Sequence, residues 1–351
     1  MSHLPDTHVA VASLSRFVCA VLHDLGMSDE HAGTAAWAIV EADLRGQRGH
    51  GVARLPSYAA ALATGDINPR PELRVQQDTP VSALVDGDLG LGHVVVMRAV
   101  ETAIEKASSI GIGWVGTRRS THAGAGGVYT GAVVERGFIA CYLAVSDMNF
   151  MAPWGGTQRL LGTNPIAVAV PAGPGPHFEL DMATAVASWA KVATAAGTGA
   201  PLPMGWVMDP EGLPLTDPHR VSEGSLVPIG EHKGYGLSLA VGLIAGVLNG
   251  AAFGRDVDAP ASASGGIGQT ILVVRPDLFR PLDEFTRDVD RHLDDLRRSA
   301  PRPGFAPVRT PGSRIPTDRQ RMLAAGIPLA ATLLEELRGL ASAKIAQLLE
   351  Q

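Results

Sequence analysis

A chain of 351 residues with 46% hydrophobic and 18% charged residues has the composition of a folded protein with a large core, and its length suggests about two domains. A net charge of -6, with no basic cluster beyond short pairs such as Arg118-Arg119, excludes the electrostatic footprint of a nucleic-acid binder and leaves small molecules or further copies of the chain as partners. The 2 cysteines, Cys19 and Cys141, lie in apolar runs, which excludes a disulfide framework or cysteine-rich metal site and reads as inert core thiols.

In chain order, the start MSHLPDTHVAVASLSRF lacks the basic, then continuously apolar, character of a secretory leader, so a cytoplasmic protein is expected. Three helices follow, SLSRFVCAVLHDLG, SDEHAGTAAWAIVEADLRG and VARLPSYAAALATG, stopped at Gly26, Gly46 and Gly65, with Ser28 capping the second. Residues 66 to about 230 change to short apolar runs broken by Gly and Pro (FIACYLAVS, NPIAVAVPAG, FELDMA), which is sheet with some helix.

Within that region GIGWVG, Gly111 to Gly116, matches the dinucleotide-binding pattern but not its context. An amphipathic helix precedes it, with Val96, Val100, Ile104 and Ala107 at helical spacing, and strand formers Ile112, Trp114 and Val115 follow. Gly111 is expected to end the helix, and Gly113 and Gly116 to serve packing or a turn. The apolar run LSLAVGLIAGVL, Leu237 to Leu248, is too short for a membrane span and predicts a buried helix starting at Gly234. A loose patch at 255–269, a strand TILVVR, a helix from Leu282 to Leu296, an extended proline-rich connection and a helix from Asp318 to the end complete the chain. Helices at both ends and sheet between them predict an α+β architecture: a helical domain built from 1–75 with 280–351 around an inserted domain, 76–279.

Three groups of residues could carry chemistry. His50, Arg54 and Tyr58 stand at i, i+4 and i+8, which on one helix would place an imidazole, a guanidinium and a phenol on a common face; the spacing is equally compatible with an exposed polar stripe. His122 precedes Gly124, Gly126 and Gly127, with a helix expected from Val128, a natural place for a phosphate if it is not simply a tight turn. His232-Lys233 stands at the positive end of the apolar helix, where an anion would be favoured. The 11 histidines show no metal-ligand spacing, and no G-x-S-x-G supports a serine hydrolase, so neither a metal site nor that chemistry is expected.

Six segments in order, ADLRGQRGHGVARLPSYAAAL, STHAGAGG, GGTQRLLGTNPIAVAVPAG, LDMATAVASWAKV, GWVMDPEGLPLTDP and GEHKGYGLSLAVGLIAGVLNGAAFG, resemble the malate/L-lactate dehydrogenase family that lacks a Rossmann fold. This group includes ureidoglycolate, sulfolactate and 2,3-diketogulonate oxidoreductases and piperideine-2-carboxylate reductase. The resemblance implies hydride transfer between NAD or NADP and a small carboxylate substrate, a 2-hydroxy acid or its 2-oxo acid, and a homodimer. Carried over by position, it implies His50 and His122 as candidate proton-transfer residues, Arg54 as the carboxylate anchor and Tyr58 as a substrate contact. It places the cofactor along His122, Ala123, Gly124, Ala125 and Gly126, Ser146, Asp181, Met182 and Ala183, His232 and Lys233, and Gly312, Ser313 and Arg314. Two positions bear on the branch. Gly49 stands where most members have serine, which bears on substrate and rate and admits a non-catalytic ligand-binding member. Lys191 stands where the imine-reducing branch carries aspartate, which favours a hydroxy acid over a cyclic imine.

Overall fold

The computed structural model describes residues 6–350. The chain opens with β1 (Thr7–Val9), α1 (Val11–Asp24), α2 (Asp29–Leu44) and α3 (Leu55–Thr64). It continues through β2 (Arg74–Gln76), β3 (Ser82–Gly90), α4 (Gly92–Ile110), β4 (Ile112–Ser120), α5 (Gly126–Val134), β5 (Ile139–Ala144), β6 (Ile166–Val170) and β7 (Phe178–Met182). Then come α6 (Trp189–Gly197), β8 (Val207–Met208), β9 (Ser225–Leu226), α7 (His232–Val241), α8 (Ala261–Ser264) and β10 (Gln269–Val274). The last elements placed here are α9 (Leu282–Arg297), α10 (Ile315–Ala325), β11 (Ile327–Leu329) and α11 (Ala331–Gly339).

The N-terminal helices form as the sequence predicts. Leu14, Phe17, Val18, Val21 and Leu22 line the buried stripe of α1, the Ser28 hydroxyl accepts the His31 N–H at 3.2 Å to cap α2, and Gly26, Gly46 and Gly65 all take positive φ at the stops. Their core is shared with the other end of the chain, since Met322, Ile327, Leu329, Leu334, Leu337 and Leu349 pack into the same cluster. The helix expected from Asp318 to the end is interrupted. At Gly326 the chain turns into β11, which pairs antiparallel with β1, Val9 opposite Ile327. Gly326 has φ +89, and a Cβ there would stand 2.8 Å from the Val9 carbonyl oxygen, so the backbones meet where no side chain intervenes.

Seven strands form one sheet in the order β2-β3-β4-β10-β5-β6-β7, parallel only between β3 and β4. Helices α4 and α5 cover one face, burying Val95, Ala99, Val100, Ala103 and Tyr129 against Val85, Val115, Tyr142, Ile271 and Val273. Here GIGWVG has a structural role. Gly111, at φ +98, ends α4, its N–H donating to the Ala107 carbonyl, and β4 starts at the next residue. A Cβ at Gly113 would overlap the Ala103 carbonyl of α4, so this glycine permits close packing of helix on strand.

The run Leu237–Leu248 departs from expectation, because its leucines are not buried. After α7 the hydrogen-bond ladder widens over Gly242–Gly246 and tightens over Val247–Asn249, leaving Leu237, Leu243, Val247 and Leu248 exposed, the last at 67%. The inward side consists of Gly234, Ser238, Val241, Gly242, Ala245 and Gly246. Small residues let this segment approach the body closely, and a Cβ at Gly242 would overlap the Phe253 ring. The bulky residues fall on the opposite side.

Candidate active site

His50, Arg54 and Tyr58 do not lie on one continuous helix. Two short 3-10 turns, Arg48–His50 and Val52–Arg54, are separated by Gly51 in extended conformation (φ -89, ψ -145), and α3 begins only at Leu55, with Pro56 in its first turn, where a missing N–H costs nothing. The bend is held from α2. Asp43, 2% exposed, accepts the Val52 N–H at 2.8 Å, and a Cβ at Gly51 would overlap the same carboxyl group. Burial pushes the Asp43 carboxyl up to about 7, against the lowering effects of the Val52 N–H and of Arg48.

The bend nevertheless brings the expected residues together. The His50 ring stacks on that of His122 with centroids 5.6 Å apart, and Tyr58 stacks on the other neighbourhood of His122 at 5.9 Å, its hydroxyl 2.7 Å from His122 Nδ1. Gly124 N–H donates to the same Nδ1 at 3.3 Å. A backbone N–H can only donate, so Nδ1 is an acceptor; the Tyr58 O–H donates to it, and neutral His122 carries its proton on Nε2. Burial pushes the Tyr58 phenol pKa well up, which keeps that proton in place. A third imidazole completes the cluster. His93, at the start of α4, is 1% exposed, meets the Tyr58 ring edge-on at 5.1 Å, and has no hydrogen-bond partner for either ring nitrogen among the described residues.

The three histidines differ in electrostatic setting. Burial, then Arg54 and His50, hold His122 well below the usual imidazole range, and burial, then His122, His50 and Arg54, take His93 down to about 3. Burial also lowers His50, with Arg54 adding to it, but the carboxylates of Asp181 and Asp147 oppose both. Arg54 faces Asp147 at 3.5 Å, both partly exposed, and its Nε has no hydrogen-bond partner among the described residues.

The glycine-rich stretch at 122–127 does start a helix, two residues earlier than expected, but its N-terminus is already engaged. Gly127 N–H donates to Asp181 Oδ2 at 2.7 Å, and Gln47 Nε2 donates to the same oxygen at 2.6 Å. The anion at this helix end is therefore a side chain of β7 rather than an exposed opening for a phosphate. Gly124 has φ +70, and a Cβ there would come within 2.8 Å of His93 Nε2, so its glycine is required by the fold of the histidine cluster itself.

Ser146 sits just beyond β5, where its N–H donates to Asn164 Oδ1 at 3.1 Å and its hydroxyl lies 2.9 Å from that of Thr163. Thr184, following Met182 and Ala183 at the end of β7, hydrogen-bonds the Thr163 carbonyl and accepts the Ile229 N–H, which ties this wall to the loop that leads into α7, where His232 and Lys233 stand. Both of those side chains are exposed, and no side chain caps α7, whose N-cap Glu231 has φ +61. Gly312, Ser313 and Arg314 are placed apart, on the outer edge of β7. A Cβ at Gly312 would be 2.8 Å from Glu179 N and His177 O, and Arg314 pairs with Asp318.

Sequence reading missed His93, Asp147, Asp43 and Gln47. His93 stands in GHVVV, where a histidine in an apolar run reads as core, and Asp147 stands in a loop without a motif. A cavity of about 950 Å³ elsewhere is lined by Trp37, Met97, Glu41, Arg45, Glu179 and Arg319, among others, and by none of the predicted site residues. Its buried charges pair with one another, Arg45 with Glu41 and Glu179, and Arg319 with Glu41. Among the described residues no group of three or more His, Cys, Asp or Glu side chains is placed to hold a metal, and no helix is long and apolar enough to cross a membrane.

The family model described as malate/L-lactate dehydrogenase matches residues 9–338. The L-sulfolactate dehydrogenase of Methanocaldococcus jannaschii is 38% identical over 292 residues, 83% of this chain and 84% of that one. The NAD(+)-dependent ureidoglycolate dehydrogenase of Escherichia coli is 33% identical and covers 89% of each chain. The solved structure of malate dehydrogenase from Pyrococcus horikoshii superposes with a TM-score of 0.88 at 34% identity, covering 97% of this chain and 96% of that one.

Proposed function

The chain belongs to the malate/L-lactate dehydrogenase family, and on that basis we propose that it is an NAD(P)-dependent oxidoreductase that interconverts a small 2-hydroxy acid and its 2-oxo acid. The observation that carries this reading is the convergence of Arg54, Tyr58, His50 and His122 on one locus, although the first three belong to separate turns of chain and the last to the loop between β4 and α5. Arg54 would grip the substrate carboxylate, with Tyr58 beside it. A bound nicotinamide cofactor supplies the hydride.

As the carbonyl is reduced, its oxygen gains negative charge and needs a proton. His50 is assigned to deliver it, because Asp181 and Asp147 oppose the lowering that burial and Arg54 impose on it, whereas at His122 no carboxylate opposes burial, Arg54 and His50. His122 is assigned a hydrogen bond from Nε2–H to the same oxygen. In the oxidative direction His50 accepts the proton.

For the cofactor, the fit is best at α7. Its N-terminus lacks a side-chain cap and carries the exposed Lys233, whereas the α5 N-terminus is engaged by Asp181. His122 to Gly126, Ser146, Asp181 to Ala183 and His232-Lys233 are the proposed lining, with Gly312 to Arg314 less well supported by their packing on the β7 edge. A homodimer is part of the proposal, supported by the exposed apolar face of Leu237, Leu243, Val247 and Leu248. The division into 1–75 with 280–351 around 76–279 is supported by one apolar core drawn from both chain ends, and a cytoplasmic location by dependence on NAD(P).

The test is to follow NADH and NADPH consumption across a panel of 2-oxo acids and cyclic imines. Turnover of 2-oxo acids is expected. Turnover confined to cyclic imines, or cofactor binding with no turnover, would overturn the proposal.

A further inference from the structure

We propose that Asp147 is a specificity-determining residue that selects, among substrates of the proposed reaction, those whose group beyond the 2-oxo acid is uncharged and donates a hydrogen bond, and that rejects a second anion. This inference rests on the reading of Arg54 as the carboxylate anchor.

Asp147 Oδ2 lies 3.5 Å from Arg54 Nη2, and its charge acts on both His50 and Tyr58, so the carboxylate belongs to the locus where the anchor and the proton-transfer residues meet. It is held there from both sides. Ser146 before it is fixed by Asn164 and Thr163, and Asn149 after it donates to the Gly254 carbonyl at 2.8 Å. Ser146 is placed on the cofactor wall, so Asp147 extends that wall towards Arg54.

The chemistry follows from charge. Arg54 offers a planar fork of donors, of which Asp147 faces only Nη2; Nε–H is buried and without a partner among the described residues, and Nη1 is the terminal nitrogen that Asp147 does not face. A substrate carboxylate can therefore be accepted while Asp147 stays beside the same guanidinium. The pair is then one cation between two carboxylates, and a further anion on the substrate would meet like charge in a partly desolvated place. A carboxamide or ureido N–H in that position would instead find in Asp147 an acceptor. Lys191, exposed on α6 next to Ala190, whose Cβ approaches the open side of Gly49, is the alternative place for a second anion. Asp147, beside the carboxylate anchor, is the group that meets the distal end of the substrate.

The experiment compares 2-oxosuccinamate with oxaloacetate, which differ only in a distal carboxamide or carboxylate, in the native chain, Asp147→Asn and Asp147→Ser. The native chain is expected to favour the amide by at least about tenfold in kcat/KM, and both variants to lose about tenfold of that preference, chiefly through a lower KM for oxaloacetate. Calorimetric titration of oxamate and of oxalate, with cofactor present, gives a reading independent of turnover: the native chain is expected to bind oxamate more tightly, and the variants to close the gap. If neither 2-oxo acid is turned over but the oxamate preference follows Asp147, the specificity assignment survives and the redox reading falls. If turnover is normal and the preference is absent, or unchanged in both variants, the assignment to Asp147 is overturned and the redox reading stands. Thermal unfolding of the variants, measured alongside, separates either result from loss of fold.

Discussion

Tyr58 places its hydroxyl 2.7 Å from His122 Nδ1, across 64 residues of sequence, while Gly124 donates its N–H to the same nitrogen. These donors fix which face of the imidazole is left to react. Tyr58→Phe removes the stronger of them, and Tyr58 is 3% exposed, so the loss of one hydrogen bond is expected to lower stability by about 1 kcal/mol. With the His122 ring held only by the weaker Gly124 N–H, which keeps the tautomer but positions the ring less firmly, kcat is expected to fall by about one order of magnitude, short of the ~10²–10⁴-fold that general acid–base catalysis as a whole contributes. Cofactor affinity should stay near native. Steady-state kinetics with fluorescence titration of NADH and NADPH would show this, and an equal loss in cofactor affinity would place Tyr58 in the wrong role.

Arg54→Lys tests the anchor. A point charge cannot reproduce the planar, bidentate grip of a guanidinium, so KM for the 2-oxo acid is expected to rise by about tenfold or more with little change in the dissociation constant of the cofactor. Comparable weakening of both would remove Arg54 from the substrate locus.

A comparison of glycine and lysine variants separates the structural motif from the proposed cofactor wall. Gly113→Ala must push a methyl group into the Ala103 carbonyl and is expected to cost several kcal/mol, on the order of an overpacked core, while cofactor affinity in the surviving folded fraction stays near native. Lys233→Ala should do the reverse: an exposed side chain is lost, thermal unfolding hardly moves, and cofactor binding weakens. Gly124→Ala is expected to damage both, because φ +70 and the approach of His93 Nε2 tie its backbone to the histidine cluster. Intact cofactor binding in Lys233→Ala would move the phosphate away from α7.

Asp43 gives a pH prediction with a definite sign. Its folded pKa, raised to about 7, lies above the ordinary carboxylate value, so below about pH 4 folded and unfolded chains are equally protonated and the group costs nothing. As pH rises the unfolded chain ionises first, and stability is lost progressively until the folded group also ionises near pH 7. Between pH 5 and 8 this amounts to about 3 kcal/mol, on the order of two pKa units at about 1.4 kcal/mol each. Asp43→Asn keeps an acceptor for the Val52 N–H but cannot ionise. Its stability relative to the native chain, from urea unfolding at a series of pH values, should therefore rise between pH 5 and pH 8; a flat difference would mean that Asp43 carries no such burden.

Much of this molecule is local, and the local part was readable. The Ser28 cap, the glycine stops at 26, 46, 65 and 111 and the strand after Gly111 depend on neighbours within one or two turns of chain. So does the reading of GIGWVG as structure, since a helix before the glycines and a strand after them is visible in the order of residues. The family resemblance added what local rules do not reach, the grouping of Arg54 and Tyr58 with His50 and His122.

Long-range contacts settled the rest. Gly326 ends a helix because Val9 lies against it from the far end of the chain, and Leu237, Leu243 and Leu248 stay outside because the small residues between them, Gly242 against Phe253 among them, are the ones that fit against the body. Asp181, which the resemblance puts on the cofactor wall, takes the N-terminus of α5 because β7 brings it there. His93 and Asp147 carry no signature of their own. An imidazole in an apolar run and a carboxylate in a loop acquire chemical meaning only when folding sets one against Tyr58 and the other against Arg54, since charge and burial act through distance in space, and separation along the chain does not encode that distance.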